Sequence, residues 1–141
     1  LIKNGADVNT RNPFNLTPID QANMLNFTET IEILRKHGGK TGAELWADES
    51  IVGAAALGDV ELLRKYFSNG VDVNEKDDSG ETALHYAATE KVADLLISKG
   101  AQVNATNDFG ETPLDQAEGE VAELLRKHGG KTGEELKAEG K

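Results

Sequence analysis

Two short phrases in this sequence match the end of a phosphate-binding loop. They are Gly39-Lys40-Thr41 and Gly130-Lys131-Thr132. The full pattern needs another glycine five residues before its last one, and leucine occupies that position in both phrases, at Leu34 and Leu125. Each phrase also follows a helical pattern instead of a strand. We therefore interpret both phrases as the end of one helix and the start of the next, and we expect no bound nucleotide.

Acidic residues suggest other chemistry that their spacing does not support. Asp72–Asp78 begins like a calcium loop, but the required glycine at the sixth position is Asp77, and Lys76 stands at the fifth. The sequence has no Gly-x-Ser-x-Gly, no His-Glu-x-x-His and no clustered Ser-His-Asp set. Its many paired carboxylates fit an acidic solvated surface at least as well as acid–base catalysis. We expect no enzyme activity, no cofactor and no metal.

Composition limits the class of partner. The chain has 141 residues and a formal net charge of -10, with 38% hydrophobic and 5% aromatic residues. This charge argues against nucleic acid, which needs a basic footprint, and against an anionic membrane surface. Solubility accounts for the acidity, and a preference for basic partners is the alternative. We expect a monomer that binds a protein or peptide.

The chain has no cysteine, so disulfides and thiol chemistry are excluded, and a reducing compartment is compatible with the sequence. No apolar run approaches the roughly 18 residues of a membrane span, and a soluble, cytoplasmic protein is the default expectation. The first residue is Leu1 and not Met. It aligns with Leu96, late in a helix, so the chain is expected to be a fragment that starts inside a repeat.

Five glycines reveal an internal repeat. Gly5, Gly38, Gly70, Gly100 and Gly129 follow one another at spacings of 33, 32, 30 and 29 residues. Each glycine ends an apolar-periodic stretch, as expected for a left-handed helix C-cap. Twelve residues after Gly5, Gly70 and Gly100 comes a threonine that suits a helix N-cap, followed by a short Ala-containing helix pattern; after Gly38 this position is Ser50. These phrases are Thr17-Pro18-Ile19-Asp20-Gln21-Ala22, Thr82-Ala83-Leu84-His85-Tyr86-Ala87 and Thr112-Pro113-Leu114-Asp115-Gln116-Ala117.

These phrases, with the Asp-Val-Asn motif after Gly70, resemble the ankyrin repeat family. The resemblance implies an all-α solenoid of antiparallel helix pairs with short β-turn fingers. Only Gly58-Asp59 keeps the family's glycine between the two helices, so the repeats ending at Gly100 and Gly129 are expected to turn more tightly. Aspartate replaces the family histidine at Asp20 and Asp115. His85 keeps that histidine, which implies a hydrogen bond between neighbouring repeats.

A longer duplication repeats His37–Leu45 as His128–Leu136, 91 residues later. Each copy replaces a finger by Thr-Gly-x-Glu-Leu, a capping-box pattern that predicts a short helix. We expect one array with a seam near residues 40–50, and this pattern is more similar to bacterial than to animal members. The predicted divisions are 1–11 (end of a truncated repeat), 12–40, 41–73 (repeat with a remodelled finger), 74–103, 104–131, and a polar capping tail at 132–141.

The three histidines favour structural roles over metal binding. His37 and His128 occupy equivalent last-turn positions, where a polar or cationic ring suits the helix dipole. His85 takes the family position. A linear stack keeps all three apart, and a metal needs converging ligands.

The resemblance implies that partners contact the finger tips and the concave face of the first helices. The finger positions are Arg11, Pro13, Phe14 and Leu16; Lys76, Asp78, Ser79 and Glu81; and Thr106, Asp108, Phe109 and Glu111. The concave helix positions are Gln21, Tyr86 and Gln116. We hypothesise that the concave acidic residues Asp78, Glu81 and Glu111 receive a basic or polar peptide. The resemblance also makes Asn74 a residue that braces the finger.

Three aromatic residues have two interpretations each. Phe14 and Phe109 are equivalent tip residues that are either binding anchors or, as we favour, pack against the adjacent finger. Trp46 aligns with Lys137 and either covers the seam or binds a partner. The expected function is a protein-interaction scaffold. The alternatives are a targeting or regulatory arm of a larger enzyme, and a spacer without a partner.

Overall fold

The computed structural model describes residues 2–140 and is helical. No β-strand occurs within these residues. The α-helices are α1 (Pro18–Met24), α2 (Thr28–Lys36), α3 (Gly42–Glu49), α4 (Ile51–Leu57), α5 (Val60–Ser68), α6 (Glu90–Ser98), α7 (Pro113–Gln116), α8 (Gly119–Lys127) and α9 (Gly133–Ala138). Two 3₁₀ helices span Ile2–Asn4 and Ala83–Tyr86. The predicted all-α architecture is confirmed. Leu1, on which one expectation depends, lies outside the described range. Lys141, the last residue of the predicted tail, also lies outside it.

The chain divides into two compact units, Leu1–Trp46 and Ala47–Lys141. We refer to them as unit 1 and unit 2. The division falls inside α3, in the segment where the sequence predicts a remodelled finger. Whether the repeats form one array stays a prediction.

Unit 1 is built on one helix pair. Thr17 caps α1: its side chain accepts a hydrogen bond from the Asp20 N–H, and Pro18 supplies the first helical residue. Ile19 of α1 is fully buried, and Leu34 of α2 is 8% exposed. The chain reverses after α2 through Gly38, whose φ of +80° lies in the left-handed region.

Unit 2 contains three helix pairs with a small-residue core. The pair α4–α5 is joined by Gly58-Asp59, with Gly58 at φ +80° and the Asp59 side chain capping α5. Ala54, Ala55 and Leu63 are fully buried in this pair. Alanines at these positions let neighbouring helices approach closely, which suits a chain with few aromatic residues.

The two short repeats differ from expectation in where they shorten. The loop between the two helices is not tighter. Instead, the first helix of each short repeat is shorter by about one helical turn: α4 has seven residues, whereas Ala83–Tyr86 and α7 have four each. The residue after each of these short helices is extended or nearly so, with ψ 107° at Ala87 and 147° at Ala117. The expectation of a tighter turn is therefore wrong. Without a left-handed glycine, the first helix ends early, and an extended residue leads the chain towards the second helix of the repeat.

The duplicated phrases form the helices that were predicted. In the first, the Thr41 N–H donates to Glu44 Oε2 at 2.7 Å, and the Glu44 N–H donates to Thr41 Oγ1 at 3.2 Å. Thr132 and Glu135 make the same reciprocal bonds at 2.7 and 3.2 Å. Both capping boxes are confirmed, and they start α3 and α9 where a finger would otherwise stand.

Candidate functional site

Each finger is held by one side chain at its base. The Oδ1 atom of Asn12, Asp77 or Asn107 accepts hydrogen bonds from two backbone N–H groups further along the finger, at 2.9–3.0 Å. Three residues later the chain is left-handed, at Asn15 (φ 63°), Gly80 (φ 74°) and Gly110 (φ 79°). Asparagine tolerates this conformation better than most non-glycine residues. The residue before each left-handed position is thereby fixed at the tip.

A second asparagine ties each finger to the repeat that follows. Asn74 accepts a hydrogen bond from the Gln102 N–H at 2.8 Å and donates to the Gly100 carbonyl at 3.2 Å. The expected bracing role of Asn74 is confirmed. Asn9 and Asn104 make equivalent bonds to the residues around Gly38 and Gly129.

Two neighbouring fingers in unit 2 also contact each other directly. The Asp108 N–H donates to the Ser79 carbonyl at 3.0 Å, and Lys76 Nζ donates to the Thr106 carbonyl at 3.0 Å. Lys76 was a candidate partner-binding residue, but its ammonium group is engaged within the finger pair. Asp78, Ser79 and Asp108 are exposed beside it.

The aromatic tip residues point to solvent. Phe14 is 82% exposed and Phe109 is 75% exposed. The favoured interpretation, packing against an adjacent finger, is therefore wrong for both side chains. An exposed aromatic on a braced turn contributes little to the fold, and a binding role for these two residues stays a prediction.

Four candidate residues meet with Asn107 in a hydrogen-bonded group that we call the polar cluster. The candidates are Glu81, Tyr86, Glu111 and Gln116. Gln116 Nε2 donates to Glu81 Oε1 at 2.6 Å, and the Tyr86 hydroxyl donates to Glu81 Oε2. Asn107 Nδ2 lies 3.2 Å from Glu81 and 3.1 Å from a Glu111 oxygen. The cluster therefore joins two successive repeats.

Glu81 is not an open contact residue, which corrects the sequence-based expectation. It is 8% exposed, and its carboxylate accepts three hydrogen bonds. Burial alone would raise its pKa, but these bonds outweigh burial and hold the pKa below the ordinary 4.5. The same bond to Glu81, together with burial, raises the pKa of Tyr86 to about 12. Asn107 was missed as a member of the cluster, although its Asn-x-Phe spacing matches that of Asn12.

His85 makes the expected bond between repeats. Its Nδ1 accepts from the Thr82 N–H at 3.0 Å, so the neutral ring carries its proton on Nε2, which lies 3.2 Å from the Glu111 carbonyl. Burial lowers the pKa of His85 below the ordinary 6.5 and outweighs the neighbouring groups that raise it. The ring is thus a neutral donor to the finger that follows.

Asp20 and Asp115 occupy the position of His85 in their own helices. Each aspartate faces a hydrogen-bond donor, whereas His85 faces an acceptor. Asp20 Oδ2 accepts from the Gly42 N–H at 2.9 Å, and Asp115 Oδ2 accepts from the Gly133 N–H at 2.8 Å. A finger offers a carbonyl to this position, whereas a helix start offers an N–H group. His85 therefore stands before a finger, and Asp20 and Asp115 stand before a helix; the equivalent position of α4 is Gly53. Burial would raise the pKa of both carboxyls, but their hydrogen bonds lower it overall.

Unit 1 holds an open cavity between the first finger and α3, which we call the first groove. Its volume is about 600 Å³, and it is lined by Arg11, Phe14, Asn15, Leu16, Asp20, Gly42, Ala43 and Trp46. Three candidate residues, Phe14, Leu16 and Trp46, meet here, whereas Gln21 is exposed on α1 and does not line it. Leu16 and Trp46 are half-buried.

Unit 2 holds the equivalent cavity between its last finger and α9, which we call the second groove. Its volume is about 460 Å³, and it is lined by Asn104, Thr106, Gly110, Gly133, Leu136 and Lys137. A side chain on Gly133 would clash with the Gly110 carbonyl oxygen, so α9 lies directly against the finger. At Gly42 the nearest atom would be Asp20 Oδ2, at 3.2 Å. The first finger therefore leaves more space beside its helix.

Among residues 2–140, no group of three or more His, Asp or Glu side chains could hold a metal ion. Over the same range, no helix has the length and apolar character to cross a membrane. The two Gly-Lys-Thr phrases take part in hydrogen bonds of the fold. The backbone N–H of Lys40 donates to Asn9 Oδ1 at 2.7 Å, and that of Lys131 donates to Asn104 Oδ1 at 2.7 Å.

The helix pairs, braced fingers and bonds from one repeat to the next define a repeat protein whose exposed features are tips and open grooves. A family model described as "Ankyrin repeats (3 copies)" matches residues 51–135, more than half of the chain. The chain belongs to the ankyrin repeat family. Ankyrin repeats are generally protein–protein interaction modules, and the family is typically non-catalytic.

Proposed function

We propose that this chain is a protein-interaction module that binds its partner through the finger tips and the adjoining concave helix positions. The observation that carries the proposal is the exposure of Phe14 and Phe109, at 82% and 75%, on equivalent braced tips. Exposed aromatic side chains that the fold does not use are typical of binding hot spots.

The rigidity of the tips supports this proposal. At Phe109, the backbone N–H donates to Asn107 Oδ1 at 2.9 Å, and the neighbouring Asp108 N–H donates to the Ser79 carbonyl. A side chain presented on an ordered backbone loses less conformational entropy on binding than one on a mobile loop. The fingers of unit 2 are therefore suited to place an aromatic anchor.

Charge supports a basic partner for the fingers of unit 2. Residues 1–46 contain five basic and five acidic side chains, so the net charge of -10 belongs to residues 47–141. Asp78, Asp108 and Glu111 are exposed on the two fingers. A basic segment would be attracted to these fingers, and its association rate would fall as salt is added.

The middle finger, braced by Asp77, offers a matched substitution for the test. Its tip residue is Ser79, at the position of Phe14 and Phe109, so Phe14→Ser and Phe109→Ser introduce a residue that the fold already accepts there. Random 12-residue peptides would be selected by display on the immobilised chain, and the dissociation constants of synthesised binders would be measured by calorimetry.

We expect at least one Phe→Ser variant to weaken binding by about tenfold or more, the effect of losing a hot spot. Glu123→Ala, at an exposed position of α8 outside the fingers, serves as the control and should leave binding unchanged. Thermal unfolding should be the same for all variants. If every selected peptide binds both Phe→Ser variants as tightly as the original chain, the tips are not the binding surface.

A further inference from the structure

The three finger turns, residues 12–16, 77–81 and 107–111, bond their backbone N–H groups in the same way except at the second residue. This residue is Pro13 in the first finger, Asp78 in the middle finger and Asp108 in the last finger. Proline has no N–H group, and the Asp108 N–H donates to the Ser79 carbonyl at 3.0 Å. Among residues 2–140, the Asp78 N–H has no acceptor, and Asp78 is exposed. The middle finger therefore has one open backbone donor.

The contact between the middle and last fingers shows what such a donor can bind. The later finger offers the Asp108 N–H to a carbonyl of the earlier finger, and the earlier finger offers Lys76 Nζ to the Thr106 carbonyl at 3.0 Å. On the middle finger itself, the Asp78 N–H and the Lys76 carbonyl occupy the positions of the Asp108 N–H and the Thr106 carbonyl. Neither group has a hydrogen-bond partner within residues 2–140. We call these two groups the open edge.

The chain has a helix where a finger would precede the middle finger. The segment in that position forms α3, whose last residues belong to unit 2. Two carbonyls near the end of this helix, those of Ala47 and Asp48, accept from the Tyr66 hydroxyl at 2.9 and 2.8 Å. The row of paired fingers in unit 2 therefore starts at the middle finger, with the open edge as its first hydrogen-bonding position.

The side of unit 2 next to the open edge is acidic. Burial raises the pKa of Tyr66, and the charges of Asp48, Glu75 and Glu49 raise it further. Because these carboxylates act on one hydroxyl, they lie close together, and Glu75 directly precedes the residue with the open carbonyl. The lysine of this finger, Lys76, directs its ammonium group to the last finger. A cationic side chain brought to the open edge would therefore be attracted.

We propose that a basic turn of the partner pairs with the open edge in the way that the middle finger pairs with the last one. A carbonyl of this turn accepts from the Asp78 N–H, and a lysine or arginine of the turn donates to the Lys76 carbonyl. Its pattern is that of a finger: a basic residue directly before the Asn or Asp that braces the turn, as Lys76 precedes Asp77. Backbone pairing of this kind gives affinity, and the side chains give specificity. The inference rests on the proposed function and adds the backbone contact and sequence pattern of the basic segment.

The experiment uses the full chain and a display library of short cyclised peptides that contain Lys-Asn-x-x-Gly. A control library has Thr in place of the lysine, as Thr106 stands in the last finger. We expect the lysine peptides to bind about tenfold or more tightly than their threonine counterparts, the effect of a charged hydrogen-bond donor. In amide NMR spectra, binding should move the Asp78 resonance downfield and slow exchange of its proton. The Asp108 amide, which is already bonded, should change little.

Two variants at one position separate the backbone bond from the charge. Asp78→Pro removes the open donor, and the first finger already accepts proline at this position, as Pro13. Asp78→Ala removes the same carboxylate but keeps the N–H group. We expect Asp78→Ala to weaken the peptides about twofold in a salt-dependent way. Asp78→Pro should weaken them about fivefold more than Asp78→Ala, the effect of one hydrogen bond. Thermal unfolding checks that both variants fold.

Equal affinities of Asp78→Pro and Asp78→Ala for the lysine peptides would overturn the proposal, as would a selection that yields no peptide sensitive to Asp78→Pro. If peptides lose affinity in Phe14→Ser or Phe109→Ser but not in Asp78→Pro, the proposed function stands and the open edge is not a contact. If they respond to Asp78→Pro and to neither Phe→Ser variant, the open edge binds the partner and the proposed role of the aromatic tips fails.

Discussion

Replacing Asp115 should release α9 from the repeat that it covers. Asp115 Oδ2 accepts from the Thr112 N–H at 2.7 Å, from the Thr112 hydroxyl at 3.1 Å and from the Gly133 N–H at 2.8 Å. Thr112 is fully buried and Gly133 is buried, so Asp115→Ala leaves two buried N–H groups without their acceptor. Hydrogen bonds to charged groups contribute about 1.5–3 kcal/mol each.

Because Asp115 itself is exposed, water can replace part of the lost interaction. We therefore expect Asp115→Ala to cost about 2–4 kcal/mol, less than the full sum of its bonds. Asp115→Asn retains one oxygen acceptor and loses the charge, so we expect it to cost about 1 kcal/mol.

The assay combines urea unfolding with hydrogen exchange of the amides in α9. Asp115→Ala should lower the urea midpoint and speed exchange at Gly133 and the following residues more than at Leu96, which is in the core of unit 2. Asp20→Ala, the equivalent change in unit 1, should speed exchange at the start of α3 in the same way. The reasoning is refuted if Asp115→Ala leaves exchange in α9 unchanged, or if the Asn and Ala variants are equally destabilised.

Three further predictions follow from the geometry. Gly133→Ala should destabilise the chain by about 2 kcal/mol or more in urea unfolding, because its new carbon would meet the Gly110 carbonyl, whereas Gly42→Ala should cost less, because its new carbon would lie 3.2 Å from the side-chain oxygen Asp20 Oδ2. Ultraviolet titration of Tyr66→Phe, which leaves Tyr86 as the remaining tyrosine, should show ionisation near pH 12; a midpoint near the ordinary 10 would exclude the bond to Glu81. Stability should fall on acidification, because the folded-state pKa values of His85 and several carboxyls lie below their unfolded values. The stability contributed by His85 should be lost below pH 6.5, its ordinary pKa, and that contributed by the carboxyls below about pH 4.5, with full stability above these values. A thermal midpoint that is constant between pH 7 and 3 would contradict this. The carboxyls are Asp20, Glu44, Glu81, Asp115 and Glu135.

The sequence predicts the features that depend on residues close together in the chain. Helix caps such as Thr17 with Asp20, and Thr132 with Glu135, follow from spacings of three residues, and the structure forms both. The glycine spacing and the motifs around it indicate the family. The expected bond from His85 to the following repeat also forms, because its position in the repeat is fixed.

Features that depend on distant residues were not predictable in this way. Glu81 looks like a surface acid at a finger base, but its partner Gln116 lies 35 residues away and Asn107 lies 26 residues away. A short repeat is equally compatible with a tighter turn or a shorter helix, and only the extended backbone at Ala87 shows which one occurs. The exposure of Phe109 likewise depends on how the adjacent finger packs.

The alternation of histidine and aspartate in one helical position has a practical consequence for engineering repeat proteins. Grafting a finger-bearing repeat after Asp115 would set a carboxylate against a carbonyl, and grafting a capping helix after His85 would set one hydrogen-bond donor against another. Each junction would then carry two mismatched polar groups. Units of this chain should therefore be exchanged together with the residue that precedes the junction, so that donor and acceptor move as a matched set.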